Sequence, residues 1–395
     1  MPSTTPARAA AAAEPRSVYF DNAASTPLDP AVLDAMLPYL REHYGNASSQ
    51  HSYGRRLRGV VETARRTIAG LLNAAPNEIF FTSGGTESDN YAAIGTIRTL
   101  GLTHAISSPL EHHAVLHTLQ ALERVGDIRL SYVRHDAQGR LDLNHLEELL
   151  TTHPRSFVSL MHANNELGNL NDVEAIGRLC VRHNAIFHTD TVQTMGHYRH
   201  NVRLLQNHFL VGSAHKFHGP KGTGFLYRSA GLPVQPLLHG GSQERHVRPG
   251  TENIPGIVGL AKALEIAYQG LDEHRRYVQG LKDQLIRRLQ AEVEGVQFNG
   301  LSAEAEQSLY TILSVSLPPS PRNAELLSTL DLNRVAVSGG SACTSGDKAG
   351  SHVLSALGTD PDRATLRLSL SRYNTADEVE YAVAQIANLF RAELV

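Results

Sequence analysis

Two apolar runs in this chain end in groups capable of covalent chemistry. The first ends in His188-Thr-Asp-Thr-Val-Gln193, placing an acid, Asp190, and an amide, Gln193, just past a strand-like stretch. The second, Phe209-Leu-Val-Gly, runs into Ser213-Ala-His-Lys-Phe-His-Gly-Pro-Lys-Gly-Thr-Gly224, where Lys216 and Lys221 stand among small and polar residues. A strand end followed by a Gly/Pro loop is where an α/β enzyme exposes a reactive side chain. Lysine is the residue that forms Schiff bases with carbonyl cofactors. A carboxylate buried at a strand end is costly without a cationic partner, and a protonated pyridine nitrogen is such a partner. Acid, amide and lysine at successive strand ends are thus the parts of a pyridoxal phosphate site. The residues alone leave Lys216 and Lys221 both open as the bonding lysine.

Other segments add to this set. Thr82-Ser-Gly-Gly-Thr-Glu-Ser-Asp-Asn90 joins a strand to a helix. Its glycines let backbone N–H groups approach an anion at the helix start, and Thr86 adds a hydroxyl. The segment is neither a dinucleotide fingerprint nor a Walker A loop, so ATP and NAD are not expected. By itself a Gly-Gly turn is an ordinary strand-to-helix connection. Glu111-His-His113 offers a ring that could stack on an aromatic cofactor or carry a proton. With 21 histidines in the chain, a lone surface histidine is the bland alternative. No HExxH, no CxxC and no His/Cys pair at zinc spacing occurs, so no metal is expected. Met161-His-Ala-Asn-Asn-Glu-Leu-Gly168 supplies asparagines able to donate to a phenolate or carboxylate, or simply to cap a polar turn. Arg367 lies on a strand with Ser369 and Ser371 on its face and leucines on the other, a placement that suits a substrate carboxylate. Arg372 is expected to be solvated.

The two cysteines differ. Cys180 falls within an amphipathic helical pattern and is expected to be a buried structural thiol. Cys343 sits in Val337-Ser-Gly-Gly-Ser-Ala-Cys-Thr-Ser-Gly346, a run too rich in small residues to be a packing core. A thiol there is accessible and movable, as a redox or nucleophilic cysteine must be.

These stations need a scaffold. Strand and helix patterns alternate from Glu78 to Tyr227, which predicts a mainly parallel sheet with helices on both faces and ligands beyond its carboxyl ends. After about residue 255 the pattern changes to one long helical stretch from Ile257 to about Ala291. Strands at 310–317, 335–337 and 365–370 and a last helix from Ala376 follow, which reads as a smaller α+β domain. We expect a disordered tail over residues 1–16, a large domain over 17–256 whose first residues pack on the small domain, and a small domain over 257–395. A chain of 395 residues with 41% hydrophobic and 19% charged residues is ordinary for a globular protein of two or three domains. The net charge of −3 gives no global attraction to nucleic acid or anionic membrane. No apolar run reaches the ~18 residues of a membrane span, and the alanines before Glu14 do not make a signal peptide, so a cytoplasmic location is expected.

Taken in order, the segments closely resemble the cysteine desulfurases of the iron–sulfur-cluster and nitrogen-fixation type. The resemblance runs from Tyr19-Phe-Asp-Asn-Ala-Ala-Ser-Thr-Pro27 to Arg367-Leu-Ser-Leu-Ser-Arg-Tyr-Asn-Thr375. It includes Gly240-Gly-Ser-Gln-Glu-Arg245 and Arg248-Pro-Gly-Thr-Glu-Asn253. It implies a fold type I pyridoxal phosphate enzyme: a seven-stranded, mainly parallel sheet in the large domain, a smaller α+β domain, and a homodimer. It implies Lys216, not Lys221, as the bonding lysine, with Asp190 at the pyridine nitrogen and Gln193 at the phenolic oxygen. Asn165 would be nearby and His112 stacked on the ring. Gly85, Thr86, Ser213 and His215 would hold the phosphate, and Thr251 would reach in from the partner subunit. Arg367 would bind the substrate carboxylate, and Cys343 would accept the sulfur. Gly340 and Pro249 stand where serines are usual in the family. The implied activity turns L-cysteine into L-alanine and passes sulfur, as a persulfide on Cys343, to an acceptor such as an iron–sulfur scaffold. Selenocysteine lyase or another aminotransferase-type activity on this fold is the alternative.

Overall fold

The computed structural model describes residues 17–339 and 350–391. The expected tail over 1–16 and the segment holding Cys343 lie outside them. The chain begins with β1 (Val18–Tyr19), α1 (Pro30–Arg41), α2 (Ser52–Leu72), β2 (Ile79–Thr82), α3 (Gly85–Asn90) and α4 (Thr96–Leu100). The alternating run continues as β3 (His104–Ser107), α5 (His113–Arg124), β4 (Arg129–Tyr132), α6 (Leu143–Thr152), β5 (Phe157–Ser159) and α7 (Val173–Arg182). Then come β6 (Ile186–Asp190), α8 (Val202–Leu205), β7 (Phe209–Ser213) and β8 (Gly224–Arg228). The second half has α9 (Ile254–Gln269), α10 (Leu271–Glu292), β9 (Gln297–Phe298), β10 (Ile312–Ser316), α11 (Leu326–Leu332) and β11 (Val335–Ala336). It closes with α12 (His352–Ala356), β12 (Thr365–Ser369) and α13 (Ala376–Arg391).

The main sheet has seven strands in the order β2-β8-β7-β6-β5-β3-β4. Strand β8 is antiparallel to both of its neighbours, and the other pairings are parallel. Two antiparallel steps restore direction, so β2 runs with the rest and six strands end at one edge. That edge carries the chemistry, as expected for an open α/β sheet. Alternation along the strands covers both faces. Ile79, Phe81 and Leu210 pack under helices including α1, α2 and α9, while Phe80, Phe209 and Val211 face α4 and α5. Cys180 is buried in the first of these cores, and burial pushes its thiol pKa up, as an inert structural thiol requires.

The helical stretch expected from 257 to about 291 is two helices, broken at Gly270. A Cβ at Gly270 would come within 2.4 Å of the His274 ring. The first helix starts earlier than expected, at Ile254, because Pro255 fits its first turn and the Asn253 side chain caps Gly256 N–H at 3.2 Å. α9 packs in the large-sheet core, and α10 from Val278 onward packs with α13 in the second core. The chain therefore passes from one core to the other just after Gly270. In the second core β10 lies between β9 and β12, and β1 pairs in parallel with β11. The first residues of the chain thus pack against its last third: Val18, Phe20 and Ala23 share that core. Arg372, expected to be solvated, instead donates to Asp29 at 2.5 Å, and their side chains are only 13% and 10% exposed. No helix among the described residues is long and apolar enough to cross a membrane.

Candidate active site

The co-directed strand ends converge on one cavity of about 190 Å³. β2 delivers Gly85 and Thr86, the loop after β3 delivers His112, and the loop after β5 delivers Met161 and Asn165. β6 and β7 deliver Asp190, Gln193, Ser213, His215 and Lys216, while Arg367 enters from β12, beside the second core. Every expected site residue among those described is in this set except Thr251, which is exposed and off the cavity of its own chain.

Lys216 lies in a short turn directly after β7, half-buried. Its Nζ donates to the Ala23 carbonyl at 2.6 Å and the Ala24 carbonyl at 2.9 Å. Gln193 donates to the same Ala23 carbonyl at 3.1 Å. The segment after β1 therefore supplies acceptors that hold both side chains at the cavity. Lys221 does not line the cavity.

Asp190 is the last residue of β6, not a residue beyond it, and it is 6% exposed. Its Oδ1 accepts from the Val192 N–H at 2.8 Å. Burial raises its pKa to about 6, against the opposing pull of the Val192 N–H and the Lys216 charge. Behind it lie two further buried acids. Asp89 is pushed well above the carboxylate range by burial and by Asp190 and Glu111, and Glu111 by burial and Asp190. Glu111 Oε1 accepts from Met161 N–H at 2.7 Å, while its buried Oε2 has no partner among the described residues. Asp89, His112 and Asp190 bring ligating atoms within 4.8 Å of one another. Crowding and burial of these acids thus disfavour their ionisation, and a cation bound in the cavity beside Asp190 would favour it.

The other side has the opposite character. His215 is pushed down to about 4 by burial and then by Lys216 and Lys221. Close by, the chain enters α3 at Gly84-Gly85, where a Cβ on Gly85 would sit 2.7 Å from Val192 Cγ2. Gly85 therefore packs its backbone against Val192 with no room for a side chain, and it lines the cavity at the start of α3. Ser213 and Thr86 bring hydroxyls to the same cavity. A cation-seeking pole and an anion-seeking pole within one cavity, with a lysine amine on its wall, fit pyridoxal phosphate, whose ring nitrogen is cationic and whose phosphate is dianionic.

His112 caps α5: its Nδ1 accepts from the Ala114 N–H at 3.1 Å. An accepting Nδ1 puts the ring proton on Nε2. Burial, then Lys216, holds the pKa at about 4, so the ring is neutral at pH 7. Arg367 is 2% exposed. It donates to the Asn165 carbonyl at 3.0 Å and to Asp21 Oδ1 at 2.9 Å. Its Nε is buried with no partner among the described residues. An unsatisfied buried guanidinium donor is costly, and a carboxylate entering the cavity would relieve it.

Sequence reasoning missed Asp21, the Ala23 and Ala24 carbonyls, Asp89 and Glu111. The three acids lie inside motifs singled out for other residues, and nothing local marks them as buried or cavity-side. The carbonyls had none, because every residue carries one.

The chain matches the Aminotransferase class-V family over residues 18–382. It is 39% identical to the cysteine desulfurase IscS of Clostridium botulinum, with 95% of each chain covered. It is 40% identical to the cysteine desulfurase IscS of Dictyoglomus turgidum, with 93% of each covered. A solved structure titled NifS-like protein superposes with a TM-score of 0.88 at 38% identity, covering 95% of this chain and all of that one.

Proposed function

We infer the reaction from the premise that this chain belongs to the class-V aminotransferase family. It is a pyridoxal phosphate-dependent cysteine desulfurase of the fold type I architecture, converting L-cysteine to L-alanine and transferring the sulfur. The observation that carries the assignment of residues is the meeting of Lys216, Asp190 and Arg367 in one cavity.

When bound, the cofactor supplies an electron sink for charge at the substrate Cα. Asp190 would be held ionised by its ring nitrogen, Gln193 and Asn165 would face its ring oxygen, and Gly85, Thr86, Ser213 and His215 its phosphate. Neutral His112 would lie on the ring. Arg367, at the cavity wall, binds the substrate carboxylate and so fixes the amino acid's direction. The Lys216 amine, held on the Ala23 and Ala24 carbonyls, takes the Cα proton. Cys343 then attacks the substrate sulfur as thiolate. Its electron pair forms the S–S bond, the Cβ–S pair passes to Cβ, which takes a proton, and Lys216 returns a proton to Cα. L-cysteine and an enzyme thiol thus become L-alanine and an enzyme persulfide, and atoms and electrons balance.

The homodimer, the cytoplasmic location and an iron–sulfur scaffold as acceptor belong to this reading too. The exposed Thr251, off its own cavity, is consistent with service at the partner's site. The test is mass spectrometry after L-cysteine is added to the holoenzyme. A gain of ~32 Da, one sulfur, should appear on the Cys343 peptide and not on the Cys180 peptide, with L-alanine released. Cys343→Ser should keep the cofactor and lose the persulfide. Persulfide on Cys180, or full turnover in Cys343→Ser, would remove the reading.

A further inference from the structure

The turn after β6 carries a side chain that the reaction scheme does not use. Residues 191–198 fold as two overlapping turns. Met195 N–H donates to Thr191 O at 2.7 Å, and His197 N–H donates to Thr194 O at 2.9 Å. This turn also holds Gln193. It lies against the residue after Lys216: a Cβ on Gly196 would be 2.6 Å from Phe217 Cβ, and Gly196 has φ +80°. Space and backbone both demand glycine there. The close approach seats the next residue, His197, beside the lysine's backbone.

The His197 ring has two partners. Nδ1 lies 3.0 Å from the hydroxyl of Tyr310, just before β10 in the small domain, and the two rings meet edge to face at 5.6 Å. The Lys216 main-chain carbonyl lies close enough to the ring to favour its protonated form. A carbonyl only accepts, so the ring proton is on Nε2 and Nδ1 accepts from Tyr310 O–H. The ring is neutral, its pKa pushed down to about 4 mainly by burial. Tyr310 is 2% exposed, so its hydroxyl has little water as an alternative partner. Arg372 and His274 line the same crevice.

We propose that His197 is a positioning residue: its ring ties the Lys216 main chain to Tyr310, so the seating of the small domain sets the geometry of the lysine amine. Lys216 is anchored from two directions. Its amine rests on Ala23 and Ala24, in the segment that follows β1 out of the small-domain core, and its carbonyl is held through His197 to β10 of that same core. A shift of the small domain reaches both anchors together. This arrangement bears on how fast the lysine bonds the cofactor, and on kcat more than KM, since neither His197 nor Tyr310 lines the cavity.

The inference rests on Lys216 being the bonding lysine, and the experiment separates the two. Stripped enzyme is mixed with pyridoxal phosphate and the rise of the lysine-bonded absorbance near ~420 nm is timed. Borohydride is then added and the labelled peptide mapped. Label on Lys221 in the wild type would overturn the reading of the site itself. With label on Lys216, His197→Ala should slow bonding about tenfold, as expected when a reacting group loses its orientation. His197→Gln, which can still donate to the carbonyl and accept from the hydroxyl, should stay within about twofold of wild type. Tyr310→Phe, which keeps the ring and loses only the hydroxyl, should show an intermediate slowing. A wild-type rate in His197→Ala, equal loss in the Ala and Gln variants, or a wild-type rate in Tyr310→Phe would overturn the proposal.

Discussion

Arg65 and Arg367 are both buried arginines paired with a carboxylate, and they differ in what they leave over. Arg65 spends every nitrogen. It donates twice to Glu244 at 2.7 Å, to Ile79 O at 2.7 Å and to Glu62 at 3.0 Å, and its guanidinium lies 4.8 Å over the Phe81 ring. Glu244 is closed in turn by the Phe81 N–H at 2.9 Å. Arg367 holds Asp21 and the Asn165 carbonyl and lines the cavity, while its buried Nε has no partner among the described residues. Two lysines differ in a similar way. Lys282 is buried on Ser308 Oγ and Leu309 O, whereas the half-buried Lys216 sits on two carbonyls at the cavity wall. A buried charge whose donors are all closed supports the fold. One left with an open donor, or held at a cavity, is available to a ligand.

The sharpest contrast should come from Lys216→Ala. It should lower turnover about a thousandfold or more, as loss of a group acting within a catalytic unit does, and abolish cofactor bonding while leaving the melting of the stripped protein near wild type. Closed and open charges would not differ as argued if that variant lost mainly stability.

Arg65→Met should do the reverse. Glu244 would be left buried without its cation, a loss of about 3–5 kcal/mol of stability by denaturant unfolding. The fraction that folds should turn over normally, and a specific loss of kcat/KM would place Arg65 in the wrong class. Arg367→Lys keeps the charge but removes the fork. It should cost about 1.5–3 kcal/mol of transition-state binding, a drop in kcat/KM of about tenfold to a hundredfold, with pyridoxal phosphate affinity unchanged.

Asp190 gives a pH signature. In the cofactor-free chain its pKa is raised from 3.8 to about 6, so in that window the folded form keeps a proton that the unfolded form releases. Its contribution to stability therefore falls as pH rises from 3.8 to about 6 and is level above. Cofactor binding should have the opposite slope, tightening about tenfold as Asp190 ionises. Fluorescence titration of the stripped enzyme should show this, and Asp190→Asn should flatten both curves.

The smallest effect belongs to Lys282, whose pKa is lowered to about 7 by burial. Between pH 7 and 10.5 the unfolded chain binds the extra proton, so this lysine makes stability rise with pH across that window and carries its full cost below it. Lys282→Met should change stability at pH 7 by about 1 kcal/mol or less, since Ser308 Oγ still donates to Ser302 O and Glu304 O. Its unfolding curve should lack the rising limb above pH 7.

The strand ends and their cargo were legible because they are local. Asp190, Gln193, Ser213 and Lys216 each stand at the end of an apolar run, and side-chain period and turn chemistry are properties of a few consecutive residues. The helix that proved to be two was not legible at its break. Gly270 inside a helical pattern reads as a tolerated glycine, and only packing against His274 and division between two cores make it a boundary. Arg372 was misjudged because its partner, Asp29, is 343 residues away in sequence.

The order of motifs along the chain determined the family, the fold class and which residue types bring the chemistry. Tertiary structure alone decided which donors stay open and which carbonyls hold the lysine. It also decided that Asp89, Glu111 and Asp190 are buried near one another and that the His197 ring meets the Tyr310 hydroxyl, 113 residues away. These are facts about residues far apart in sequence being brought within a few ångströms, where burial and exclusion of water set the strength of each interaction. No pattern of neighbouring residues encodes that distance.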